Sequence, residues 1–229
     1  MQPVLQQLGQ QLLVPVIEIP SEDAALPLAD ALLAGGLPCA EITFRTAAAA
    51  VALQRIGEQR PEMLLGAGTV LTVEQVDLAL EAGARFIVSP GFDATIVAYC
   101  QSRGVPVLPG VITPTELLMA RAAGLELVKF FPAQAAGGAG YLKAIGAPFR
   151  SFSFIPTGGI DAALLPAYLA LPQVHAVGGS WMAPASLLKD GDFDGITSRV
   201  REAVQLARRL RPAPATKAST SRAEPQVMT

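Results

Sequence analysis

Histidine and cysteine are scarce in this sequence, which has one histidine and two cysteines among 229 residues. A single histidine, His175, offers too few ligands for a transition-metal cluster. Cys39 and Cys100 lie in unrelated segments without the spacing of a zinc or redox motif. We therefore expect no metal and no other cofactor, and metal-dependent chemistry is disfavoured.

Charge is also sparse, with 16% charged residues and a formal net charge of -2. A composition this poor in positive charge does not indicate the basic surface patch by which proteins bind nucleic acids and anionic membranes. No apolar stretch is long enough to span a bilayer, and the N-terminus lacks the basic and apolar regions of a signal peptide. We expect a globular cytoplasmic protein that binds neither nucleic acid nor membrane.

Short runs rich in Val, Ile and Phe recur along the chain, separated by Ala- and Leu-rich helical stretches. The runs cover residues 12–19, 40–45, 64–70, 85–91, 105–111, 127–133, 153–159 and 174–181. Thr72 and Asp93 precede helical stretches as N-caps would. Such alternation predicts an α/β fold, a (β/α)8 TIM barrel of residues 1–210, with an extra helix over 3–11 and a disordered tail over 211–229. An open doubly wound sheet is the alternative, but "PSED" after the first run lacks its glycine-rich turn.

Polar side chains alternate with apolar ones in the second predicted strand, where Glu41, Thr43 and Arg45 share one face. If the apolar face packs on helices, the polar face points into the barrel. The alternative is an edge strand whose polar face meets solvent. In the sixth predicted strand Lys129 has the same inward phase, so Lys129 and Glu41 can meet inside the barrel.

Lys129 lies in the apolar run "VKFFPA", whereas the other lysines fall in helical or tail segments. Removing an ammonium from water costs several kcal/mol unless the group is paired or loses its proton. A neutral buried amine can attack a carbonyl and form a Schiff base. A structural salt bridge with Glu41 is the alternative.

Glycine turns end the seventh and eighth predicted strands, in "TGG" at 157–159 and "GGS" at 178–180. Each precedes an expected helix start. Exposed backbone N–H groups at these two positions are typical of a barrel phosphate site, although two glycine turns without a ligand remain an alternative.

Four further residues have weaker signals. His175 lies at the start of the eighth strand, away from the expected active face, and a structural role is favoured. Glu18 ends the first strand on a face that the sequence does not fix, so it could assist Glu41 or face a helix. Trp181 and Met182 are expected to pack at the barrel rim.

The motifs "EITFRT", "GAGTV", "SPG", "PGV", "KFFPA", "PTGGI" and "GGSW" occur in order, one for each strand from the second to the eighth. This ordered set, covering residues 14 to about 210, resembles the 2-keto-3-deoxy-6-phosphogluconate (KDPG) aldolase family. The resemblance implies a (β/α)8 barrel that is usually a homotrimer, with Lys129 forming a Schiff base with pyruvate or its aldol. It also implies a phosphorylated 2-keto acid as substrate.

The resemblance further implies roles for individual residues. Glu41 would be the catalytic acid and base, and Arg45 and Thr69 would bind the substrate carboxylate. Pocket and phosphate contacts would come from Pro90, Phe131, Thr157, Gly158, Gly159, Gly179 and Ser180. The family commonly has Glu after "KFFPA", whereas this sequence has Gln134.

The expected function is therefore a class I aldolase that cleaves KDPG to pyruvate and glyceraldehyde 3-phosphate. Two other functions stay open: a phosphosugar isomerase or epimerase, and a non-catalytic phosphate-binding barrel. Within the aldolase hypothesis, the sequence leaves open the phosphogluconate and phosphogalactonate epimers and 4-hydroxy-2-oxoglutarate (KHG).

Overall fold

Eight parallel strands form one sheet in the computed structural model of this protein, which describes residues 2–212. They are β1 (Leu13–Ile17), β2 (Cys39–Thr43), β3 (Leu64–Gly68), β4 (Phe86–Ser89), β5 (Val107–Val111), β6 (Leu127–Phe130), β7 (Ser153–Pro156) and β8 (Val177–Gly179). The hydrogen-bonded order is β7-β6-β5-β4-β3-β2-β1-β8. Parallel bridges from Phe154 to Val174 and from Thr157 to Gly178 join the two ends of the sheet. The (β/α)8 barrel is confirmed, and the open sheet is wrong.

Helices alternate with the strands. They are α1 (Pro3–Gln11), α2 (Ala25–Ala34), α3 (Ala49–Gln59), α4 (Val73–Glu81), α5 (Ala94–Ser102), α6 (Pro114–Ala122), α7 (Gly138–Gly146), α8 (Leu165–Leu169), α9 (Ala185–Asp190) and α10 (Phe193–Leu210). A 3-10 turn over Glu22–Ala24 precedes α2. The extra N-terminal helix expected over 3–11 is α1. In the described part of the chain, no helix is both long and apolar enough to cross a membrane.

Side-chain caps fix several helix starts. Thr72 and Asp93 accept hydrogen bonds from first-turn N–H groups of α4 and α5, as the sequence predicted. Thr113 and Glu116 form a capping box at the start of α6. Partial burial by itself would raise the pKa of the Glu116 carboxyl. The carboxylate accepts hydrogen bonds from the Ile112 N–H and from the hydroxyl and N–H of Thr113, and these bonds outweigh the effect of burial, so the pKa is lowered.

Arg211, the first residue after α10, is hydrogen-bonded to another part of the barrel. Arg211 donates hydrogen bonds to the carbonyl oxygens of Leu169, Leu171 and Val174 at 2.6–3.1 Å. These bonds tie the end of α10 to the segment between α8 and β8. The remainder of the expected tail, residues 213–229, lies outside the described residues.

Candidate active site

A buried ion pair lies inside the barrel. Lys129 on β6 donates from Nζ to Oε1 of Glu41 on β2 at 3.2 Å. The two residues are only 6% and 4% exposed. Among residues 2–212, these are the buried charged side chains. Because two charges withdrawn from water are costly unless they compensate each other, each depends on its partner.

Glycines lie beside this pair in the neighbouring strands, and one of them, Gly68, makes room for the Glu41 carboxyl. In the strand register, Glu41 lies between Val16 of β1 and Gly66 of β3, and Lys129 lies beside Gly110 of β5. A Cβ atom on Gly68, the last residue of β3, would lie 2.7 Å from Glu41 Cγ and 2.8 Å from Cδ. The second glycine of "GAGTV", Gly68, therefore provides the space that the Glu41 carboxyl occupies.

The floor of the barrel beneath the pair is apolar. A void of about 10 Å³ is lined by Glu41, Lys129 and Thr157 together with apolar side chains, including fully buried Leu8 of α1. The N-terminal helix therefore closes the barrel on this side. Apolar surroundings have a low effective dielectric, which strengthens the attraction between the two charges.

Arg45 lies two residues beyond β2, where it contacts two neighbouring loops. Its Nε donates to Thr69 Oγ1 at 3.1 Å, and its Nη1 lies 3.6 Å from Glu18 Oε2. Thr69 has a φ of 57°, a left-handed conformation that costs a β-branched residue roughly 1–3 kcal/mol. The strained backbone turns the Thr69 hydroxyl toward the guanidinium, which is about half exposed.

A cavity of about 450 Å³ opens at the carboxyl ends of the strands. Seven predicted site residues line it: Arg45, Phe131, Thr157, Gly158, Gly159, Gly179 and Ser180. Thr157 lines both this cavity and the void beside Lys129, so it connects the two spaces. The ring of Phe131 lies 5.1 Å from Lys129 Nζ, within cation–π range.

Four predicted site residues lie outside the cavity lining: Lys129 and Glu41 line the small void that Thr157 connects to it, and neither Thr69 nor Pro90 lines the void or the cavity. Thr69 reaches the cavity only through Arg45. Pro90 follows β4, and its carbonyl packs against Gly110 so closely that a Cβ there would collide with it. The role of Pro90 in substrate binding stays a prediction.

The turn after β7 has a left-handed glycine backbone, and the helices after both glycine turns begin later than expected. Gly158 and Gly159 have φ values of 105° and 73°, which only glycine adopts readily. The next helices follow only several residues later, with α8 beginning at Leu165 and α9 at Ala185. Any anion would therefore meet the N–H groups of the turns themselves.

Sequence reasoning missed or underestimated three residues of the cavity. Glu18 lines the cavity beside Arg45 and therefore does not face a helix. Thr43 lines the cavity and donates to the Ile17 carbonyl at 3.1 Å. Trp181 packs on Gly179 and also lines the cavity. The inward phase of Thr43 was visible in the alternation of β2, whereas Glu18 had no such signal.

The cavity lining does not include His175, Met182 or Gln134. His175 contacts the Leu5 carbonyl of α1 through Nε2 at 2.7 Å, which fits a structural role at the floor. Met182 is fully buried. Gln134 lies against the β7 turn, where a Cβ on Gly159 would lie 2.9 Å from Gln134 Cβ. Within residues 2–212, no group of three or more His, Cys, Asp or Glu side chains could hold a metal ion.

Comparisons with known proteins agree with this geometry. A family model of KDPG and KHG aldolases matches residues 4–199. The 2-dehydro-3-deoxy-phosphogluconate aldolase of Treponema pallidum is 46% identical over 193 residues, 84% of this chain and 92% of that protein. The KHG/KDPG aldolase of Escherichia coli K12 is 44% identical over 195 residues, 85% of this chain and 92% of that one.

A solved structure shows the same fold. The KDPG aldolase of Legionella pneumophila, crystallised with pyruvate captured as a covalent carbinolamine intermediate, is 40% identical. It aligns with a TM-score of 0.85 over 89% of this chain and 98% of that chain. Because the family model and these relatives cover most of the sequence, the chain belongs to the KDPG and KHG aldolase family.

Proposed function

We propose that this protein is a class I aldolase that reversibly cleaves 2-dehydro-3-deoxy-6-phosphogluconate to pyruvate and glyceraldehyde 3-phosphate. The buried Lys129–Glu41 pair, 3.2 Å apart beside the cavity, carries the proposal. An amine must lose its proton before it attacks a ketone, and a carboxylate at hydrogen-bond distance can accept that proton. Family membership supports the same reaction class.

The first half of the mechanism forms the Schiff base. Neutral Lys129 Nζ adds to the C2 ketone of the substrate and gives a carbinolamine. The C2 oxygen then leaves as water, with a proton returned by Glu41, and a protonated imine remains. The Phe131 ring, 5.1 Å from Nζ, can stabilise that positive charge.

The second half breaks the carbon–carbon bond. Glu41 removes the proton of the C4 hydroxyl, directly or through a water. As the C3–C4 bond breaks, its electron pair moves toward the imine nitrogen, so the aldehyde leaves and a neutral enamine remains. Protonation at C3 and addition of water then release pyruvate and regenerate the amine of Lys129.

The carboxylate and the phosphate of the substrate bind at the two ends of the cavity. Arg45, supported by Thr69, binds the C1 carboxylate, because its guanidinium is always charged and matches a carboxylate geometrically. The phosphate lies on the N–H groups of the turns over 157–159 and 179–180. Phe131 and Pro90 contribute apolar contacts to the substrate chain.

We also propose that the protein is a homotrimer and that it acts in the cytoplasm. Exposed apolar side chains support an assembled state: Leu71, Leu78, Leu118 and Met119 are 44–56% exposed. A phosphorylated substrate, which does not cross membranes unaided, supports the location. Light scattering after gel filtration should give three times the 23.8 kDa chain mass, and the mass of a monomer would contradict the trimer.

Product analysis tests the reaction. The purified protein should release pyruvate and glyceraldehyde 3-phosphate from KDPG, and the phosphogalactonate epimer and KHG should be assayed beside it. An isomerase or epimerase would consume substrate without forming pyruvate, and a non-catalytic barrel would consume none.

Two lysine variants make this test specific. Lys129→Ala should abolish pyruvate formation, whereas Lys143→Ala, at an exposed position of α7, should leave it at the wild-type level. Equal rates for Lys129→Ala and the wild type would refute the Schiff-base role.

A further inference from the structure

Glu18 is held at a defined place on the cavity mouth. The hydroxyl of Thr43 donates to the Ile17 carbonyl at 3.1 Å, and that of Thr46 donates to the Ile19 carbonyl at 2.9 Å. These bonds fasten the backbone on both sides of Glu18 to the end of β2 and to the turn that follows it. The position of Glu18 is therefore set by the barrel and not by a free loop.

The carboxylate of Glu18 remains able to interact with a ligand. Its Oε2 lies 3.6 Å from Arg45 Nη1, beyond hydrogen-bond distance, and the two side chains are 53% and 49% exposed. Exposed pairs of this kind contribute little to stability. Glu18 lines the same cavity as Arg45 and the glycine turns, so its negative charge faces the space that a substrate would occupy.

Strand order determines which part of a substrate would pass Glu18. β1 lies between β2, which carries Arg45 at its end, and β8, which ends in the Gly179 turn. If the C1 carboxylate binds Arg45 and the far end binds the turns after β7 and β8, as the proposed function requires, the chain between them crosses the end of β1. Glu18 then faces the middle or outer carbons.

We propose that Glu18 is a specificity-determining residue that favours a hydroxyl over a carboxylate at C5 of the substrate. This inference rests on the proposed function. KDPG has a neutral C5 hydroxyl, which can donate a hydrogen bond to the Glu18 carboxylate. KHG has a carboxylate as C5, which Glu18 repels. Discrimination by an unfavourable contact with the wrong substrate is a general means of specificity.

The test compares two substrates in one variant. Glu18→Gln keeps the shape and a hydrogen-bond acceptor but removes the charge. The ratio of kcat/KM for KDPG to kcat/KM for KHG should fall by roughly 3–10-fold, as expected for one like-charge contact in a solvated cavity. Most of the change should be a lower KM for KHG, and the change should shrink at high ionic strength because exposed charges are screened.

Glu22→Gln is the matched control. Glu22 forms an exposed pair with Arg55 at 3.0 Å in the same connection between β1 and α2, and it does not line the cavity. It should leave the ratio unchanged. An unchanged ratio in Glu18→Gln, or an equal change in both variants, would overturn the role of Glu18. If the wild-type protein released no pyruvate from either substrate, the proposed function would also fall.

Discussion

Replacing Gly68 with alanine should slow cleavage without removing any reacting group. Gly68 ends β3, and its backbone is outside the left-handed region, so alanine is permitted there. The added Cβ would lie 2.7 Å from Glu41 Cγ and 2.8 Å from Cδ, and still closer to Oε1. The barrel wall is tightly packed, so the Glu41 side chain is the part expected to move.

The size of the effect follows from these distances. Carbon atoms in contact prefer separations of roughly 3.5–4.0 Å, so the carboxyl must shift by about 1 Å. A misplacement of about 1 Å can cost roughly 10²-fold in rate. Overpacking should also lower the free energy of unfolding by about 1–3 kcal/mol.

The assay is steady-state pyruvate release, with unfolding in denaturant measured on the same samples. Gly57→Ala in α3 is the control, because its Cβ would lie 3.8 Å from Leu65 Cδ1, an ordinary contact. That variant should keep wild-type kcat and gain stability by roughly 0.5–1 kcal/mol. A near-normal kcat for Gly68→Ala would show that catalysis does not depend on where Glu41 lies.

Three further variants test separate parts of the account. Glu41→Gln keeps the shape of the side chain but cannot accept a proton, so kcat should fall by roughly 10²–10⁴ in the pyruvate-release assay, and an unchanged kcat would assign the base elsewhere. Ser180→Asp places a charge at the phosphate turn, so kcat/KM should fall by roughly 10–10³ for KDPG and much less for KHG; equal losses would contradict the phosphate site. Glu116→Ala removes half of a capping box and should lower the free energy of unfolding by about 1 kcal/mol at pH 7. Because the folded-state pKa of Glu116 is lowered, that contribution is present above its unfolded pKa of about 4.3 and disappears as pH falls further; a difference independent of pH would contradict the role of the carboxylate.

Hydrophobic alternation contained enough information for the barrel and for part of the site. The period of two in β2 and β6 places Glu41 and Lys129 on inward faces, and a closed barrel leaves them few neighbours except each other. The structure has them 3.2 Å apart. The ends of the strands were harder to predict. The apolar run covers residues 12–19, but the strand covers only Leu13–Ile17, because a residue can be apolar without pairing with a neighbouring strand.

Residues beyond the strand ends could not be placed from the sequence. Glu18 follows the last residue of β1, where alternation no longer fixes the direction of a side chain. The left-handed φ of Thr69 is likewise a product of tertiary contacts, since threonine seldom adopts it by itself. The helix containing Leu8 was predictable, but its packing beneath Lys129 and Glu41 depends on how the whole barrel closes.

Reductive trapping tests the central claim most directly. The protein is incubated with pyruvate and borohydride, digested, and its peptides are examined by mass spectrometry. If Lys129 forms the Schiff base, the peptide that contains it should carry the reduced pyruvate adduct, activity should be lost in proportion, and Lys129→Ala should remain unlabelled. Loss of activity without an adduct, or an adduct on an exposed lysine such as Lys143 in place of Lys129, would contradict the account.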